Sequence, residues 1–218
     1  MEQAMPLTQV QPKSALRAGG PPPVAPGEPG DGGSRGQRLP DRSYRLALYV
    51  VLAPVTMTFA ALASSYIVRR GIGGDWRAVE LPAVLWLNSF ALLFSSVALE
   101  AARRGLREGR AGAFTRWWLA ATALGVAFLG GQALAWFQLY AAGVGMASNI
   151  SASFLYLLTA FHTLHLLIGV GALAWVALLA LRARVAPPRR LVADLAAVYW
   201  HFLDGLWIFL FALMLVWR

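Results

Sequence analysis

Tyr199-Trp200-His201-Phe202-Leu203-Asp204-Gly205-Leu206-Trp207 is the stretch that decides the fold. It lies inside residues 191–217, a run of 27 whose only charges are Asp194 and Asp204. A run that long and that apolar reads as a membrane-spanning helix, since about 20 such residues cross the hydrocarbon core. Asp204 then falls near the bilayer midplane, where an acid costs about 2.5–3.5 kcal/mol on insertion scales and is expected to face protein and hold a partner. His201, three residues earlier, shares its helix face.

The rest of the composition agrees with a membrane. Of 218 residues 58% are hydrophobic and 13% charged, a balance that argues against a soluble domain. The net charge of +9 does not point to nucleic acid, because the charges fall in short blocks between apolar runs. The chain has no cysteine, which excludes disulfides, zinc ribbons, iron–sulfur clusters and thiolate-ligated copper.

Residues 1–43 contain no apolar run. Between Ala18 and Pro40, seven glycines and six prolines fill 13 of 23 positions, too little apolar surface to offset conformational entropy, so a disordered tail is expected. The segment also lacks the basic start, apolar middle and cleavage site of a signal peptide. Residues 44–218 hold five apolar segments, at about 46–68, 81–99, 117–140, 153–181 and 191–217. The expected fold is all-α, an integral membrane bundle of five transmembrane helices. Pro54 sits inside the first segment, tolerated where neighbours satisfy the freed carbonyl. Pro82 is expected in the first turn of the second, and Pro187-Pro188 separates the fourth from the fifth.

Basic residues orient the bundle. The tail through Arg45 carries six Lys and Arg, the loop 101–116 five and the loop 182–190 four, against four (Arg69, Arg70, Arg77, Arg218) on the other side. This asymmetry places the N-terminus in the cytoplasm and the C-terminus outside. Trp117-Trp118 and Trp217 occupy positions expected of interfacial anchors.

All three histidines are intramembrane, His162 and His165 on the fourth helix and His201 on the fifth. The spacings His-x2-His and His-x2-Asp put each pair on one helix face, so His162, His165, His201 and Asp204 are expected to meet near mid-membrane. Two readings stand: a three-histidine, one-carboxylate metal site, or a polar cluster whose members satisfy one another and lock two helices. A bis-histidine haem would consume two of the three imidazoles. Glu100 precedes Arg103 and Arg104 by three and four residues, the spacing of an interfacial ion pair, with a proton-entry or lipid-headgroup role as the other reading. Asn88, Ser95, Ser96 and Gln132 are expected as helix-packing hydrogen bonders, and Gly125, Gly131, Gly169 and Gly171 as points of close helix approach.

Phe161-His162-Thr163-Leu164-His165 followed by Tyr199-Trp200-His201-Phe202-Leu203-Asp204 resembles the paired motifs of subunit III of haem–copper oxidases. Thr163 and Leu203 stand where the family pattern has Gly and Val. Trp86-Leu87-Asn88 with Ser95-Ser96, and Gly131-Gln132, add to the likeness, which covers about residues 46–217. Many family members carry a glutamate in the middle of the first of these helices. This chain has Ala53-Pro54 there, so no role of that carboxylate carries over. The length resembles the five-helix bacterial form, without two N-terminal helices of longer members.

The resemblance implies a subunit with no metal or haem of its own. Haem and copper would sit in partner subunits, with this chain packed on haem-bearing subunit I and binding phospholipid. It would support assembly and proton uptake of a complex that reduces oxygen to water, in the plasma membrane of a bacterium. His162, His165, His201 and Asp204 would then be structural or lipid-adjacent. The accessory subunit of nitric oxide reductase and a small metal-ion carrier using the three histidines and Asp204 are the alternatives.

Overall fold

A computed structural model describes residues 40–72, 74, 76–182 and 187–217. Of the expected tail, residues 1–43, residues 1–39 lie outside the described residues, as do those just before Pro187, and its last three already belong to the first helix. Five helices follow in order: α1 Asp41–Ile72, α2 Val84–Arg107, α3 Ala111–Ala141, α4 Ile150–Leu181 and α5 Pro187–Val216. All five are long and apolar enough to cross a membrane, and no strand occurs among the described residues. The chain is a multi-pass membrane protein.

The helices outrun the apolar segments at most ends. α1 has 32 residues, about 48 Å at 1.5 Å per residue, whereas the hydrocarbon core is about 30 Å thick. The surplus is built from residues that hydropathy alone discounts, such as Arg103, Arg104 and Arg107 at the end of α2. Helical hydrogen bonding continues through the headgroup region, because backbone groups there lose nothing by staying paired. In the other direction, Pro82 lies just before α2 and not within its first turn. Its carbonyl accepts from Leu85 N at 3.0 Å.

Helix ends follow local chemistry. Gly109 (φ 73°) and Gly143 (φ 78°) terminate α2 and α3 in the left-handed region. In each turn the next N–H reaches back to the helix, Arg110 N to Gly105 O at 2.8 Å and Val144 N to Leu139 O at 2.9 Å. A glycine adopts this conformation without a Cβ penalty, which is why it stops a helix so well. The Asn149 side chain caps α4 by accepting from Ala152 N at 2.7 Å.

α2, α3, α4 and α5 close into a ring, each packing on the next and α5 returning to α2. α1 packs only on α4 and α5. The ring is drawn tight where glycine faces tryptophan. A Cβ on Gly125 of α3 would lie 2.6 Å from the Trp200 ring of α5, and one on Gly169 of α4 would meet Leu203 and Trp200 at 3.0 and 3.2 Å. A Cβ on Gly131 would collide with the Asn88 amide of α2. Small residues thus let backbones approach where apolar lipid offers no hydrophobic drive. Gly171 differs from this expectation, because a Cβ there meets nothing within 4 Å. Trp118 also departs: it is fully buried and donates from Nε1 to Leu173 O at 2.9 Å, while Trp117 is 49% exposed. Adjacent residues on a helix point about 100° apart, so only one of the pair remains at the surface.

Candidate functional site

The polar groups inside the membrane collect mainly on the seam between α2 and α5. Ser96 lies at the middle of α2, twelve residues from Val84 and eleven from Arg107. Asp204 lies at the middle of the α5 span, fourteen residues from Arg190 and twelve from Val216. The Ser96 hydroxyl donates to Asp204 Oδ2 and also lies 2.8 Å from His201 Nδ1. A serine has one hydrogen to give, so Ser96 can donate in only one of these two contacts. His201 Nε2 makes no hydrogen bond among the described residues. Asp204 is only 4% exposed, and its Oδ1 has no hydrogen-bond partner.

Two indoles close the inner side of this seam. Trp200 Nε1 donates to Ser95 Oγ at 2.9 Å and Trp207 Nε1 to Ser89 Oγ at 3.0 Å. Both rings are fully buried. Toward the Arg-rich end of the seam stands an ion cluster. Arg103 reaches Glu100 at 2.9 Å and Asp194 of α5 at 3.2 Å, and Arg104 lies 3.9 Å from Glu100. Arg103 therefore ties α2 to α5, while Arg104 is mostly exposed. The ion-pair expectation for Glu100, Arg103 and Arg104 holds in this geometry. Asp194 is the member that sequence reasoning left out. Its spacing of seven from His201, two helical turns on one face, was the available signal.

The expected meeting of all four polar residues does not occur. His162 is fully buried in an aromatic box, with ring centroids of Trp207, Phe128 and Phe59 at 5.2, 6.1 and 6.5 Å. Neither of its ring nitrogens has a hydrogen-bond partner among the described residues. His165 turns the other way, with Nδ1 2.7 Å from the Phe161 carbonyl of its own helix. It lines a groove between α1, α4 and α5 with Val51, Val55, Ile168 and Tyr199, of about 570 Å³ and almost wholly apolar. The face that His201 and Asp204 share is turned to α2, not α4, because Ser96 supplies the hydroxyl they bind. Among the described residues no three of His, Asp and Glu converge in a manner that would hold a metal ion.

Asn88 and Ser95 bond across or along helices as expected, Asn88 Nδ2 reaching Phe128 O of α3 at 3.4 Å. Gln132 is buried, but its Oε1 lacks a partner. On α4, Thr159 Oγ1 accepts from Trp136 Nε1 of α3 at 3.0 Å, a link the sequence reading did not name.

Fold and seam together define a five-helix integral membrane protein whose buried polar side chains join helices. A family model described as Cytochrome c oxidase subunit III matches residues 47–218. The chain is similar to Cytochrome c oxidase subunit 3 of Thermostichus vulcanus, 30% identical over 176 residues, 78% of this chain and 86% of that one. It is 32% identical over 169 residues to Cytochrome c oxidase subunit 3 of Corynebacterium diphtheriae, covering 74% and 82% of the two chains. Cytochrome c oxidase subunit 3 of Synechocystis is 29% identical over 183 residues, 79% of this chain and 74% of that one. The chain belongs to the cytochrome c oxidase subunit III family.

Proposed function

We propose that this chain is the non-redox subunit III of a bacterial haem–copper terminal oxidase, embedded in the plasma membrane with its N-terminus cytoplasmic. Haem and copper belong to partner subunits, and this chain supports their assembly and proton uptake. The observation that carries the reading is the Tyr199–Asp204 motif, whose His201 and Asp204 join α5 to α2 through Ser96. The donor chemistry agrees. His162 faces aromatic rings, His165 bonds its own helix and His201 bonds Ser96, so the three imidazoles do not converge on one point, although His162 and His165 both pack on Phe59. The groove between α1, α4 and α5 offers bound phospholipid an apolar wall for its acyl chains.

Purification of the membrane complex in mild detergent tests this. The wild-type chain should copurify with a haem-bearing subunit, and the chain once separated should be colourless. Asp204→Leu should reduce the amount of chain recovered with haem while leaving turnover per haem unchanged, because Asp204 joins helices. Normal assembly with lost proton pumping would place Asp204 on a proton path. Stoichiometric zinc, copper or iron in the separated chain, lost on His201→Ala, would favour a metal carrier.

A further inference from the structure

The ring of helices leaves one face of α5 uncovered. α1 flanks α5 on one side and α2 on the other, and α1 and α2 do not pack on each other. Between them run Val198, His201, Gly205, Ile208 and Ala212, spaced three and four residues apart, which makes one straight stripe. Val198 and His201 are half-buried, Gly205 and Ala212 are exposed, and Ile208 is 47% exposed. A Cβ placed on Gly205 meets nothing within 4 Å. The outward face of α4, with Leu164, Ile168, Gly171 and Trp175, is equally open but purely apolar.

The stripe on α5 is not suited to lipid. His201 sits eleven residues inside the span, its Nε2 without a partner among the described residues. Acyl chains carry no N–H or O–H, and ionisable groups at that depth face protein or water. Behind it, Asp204 is 4% exposed and holds an oxygen without a partner, so the seam's hydrogen bonding is incomplete among the described residues. An open Gly205 one turn from an unpartnered imidazole nitrogen matches what one helix needs to approach another closely and bond to it.

We propose that the stripe centred on His201 and Gly205, between α1 and α2, receives a transmembrane helix of a partner oxidase subunit that presents a hydrogen-bonding group to His201 Nε2. This rests on the reading of the chain as an oxidase subunit and names the face through which it joins. The α4 face and the groove beside His165 are left to lipid.

Paired substitutions test it in the whole complex. Gly205→Leu and Gly171→Leu both project into open space in this chain, so each should keep the helix content of the separated chain by circular dichroism. Gly205→Leu should lower haem recovered per chain on the order of tenfold or more, the usual effect of forcing bulk into a packed interface, and Gly171→Leu should not. A photoreactive phenylalanine analogue replacing Ile208 should crosslink to an oxidase subunit, and one replacing Trp175 should not. Full haem recovery with Gly205→Leu, or a crosslink from position 175 alone, overturns the assignment of this face while the oxidase reading stands. A wild-type chain that recovers no haem-bearing subunit overturns both.

Discussion

His162 and His201 are the same residue type near the middle of neighbouring helices, yet they are handled in opposite ways. His162 is walled in by Trp207, Phe128 and Phe59, with both nitrogens unpartnered. His201 keeps one nitrogen bonded to Ser96 and leaves the other at a half-open surface. An unpaired buried polar atom costs about 1–3 kcal/mol, so the His162 site is held by ring packing in spite of its chemistry. The His201 site is held by its chemistry. The first marks where the chain is finished against itself, and the second where it is completed by something else.

The sharpest way to break this comparison is to remove a ring that lines the His162 box and also ties α5 to α2. Trp207 stacks near His162 and donates to Ser89 of α2. Trp207→Ala should lower the stability of the chain in bicelles by about 3–5 kcal/mol, the range for deleting a fully buried large side chain. Unfolding by SDS, followed by circular dichroism, measures it. A change below about 1 kcal/mol would mean that the box is loosely packed.

Ser96→Ala acts on the other site alone. It leaves Asp204 Oδ2 and His201 Nδ1 without their shared hydroxyl, and should cost about 1–3 kcal/mol in the same unfolding assay. A double-mutant cycle with His201→Phe should show coupling of about 0.6–2 kcal/mol, the range for polar contacts within membranes. Additive effects would separate His201 from the seam.

The smallest effect distinguishes the two histidines directly. His162→Phe removes two unpartnered nitrogens from an aromatic box, and should leave stability within about 1 kcal/mol of the parent or raise it. His201→Phe should lower it. If both variants fall equally, His162 has a hydrogen bond that its surroundings do not supply.

Much of this was legible in the sequence for one physical reason. Lipid imposes long, continuous, internally bonded helices, so apolar runs report number and type of element directly. The helix ends were read short because hydropathy tracks hydrocarbon, while helices such as α2 run on through Arg103 and Arg107. The pairs of Glu100 with Arg103 and Arg104 followed from spacing on one helix, while Asp194 of α5 joined them only through packing. The Trp117-Trp118 pair divided between surface and core because only neighbouring helices decide which side is covered.

The sequence by itself determined that five helices cross the membrane, that the fourth and fifth carry histidine at fixed spacing, and that Asp204 needs a partner at mid-membrane. Those are consequences of solvent and of helical period, both local to the chain. Which helix answers Asp204 is not local. Tertiary packing turned the shared face of His201 and Asp204 toward Ser96 of α2 and sent His162 into hydrocarbon rings. Spacing fixes a residue's angle on its own helix, but the rotation of one helix against another is set by where Gly125, Gly131 and Gly169 let Trp200 and Asn88 come close.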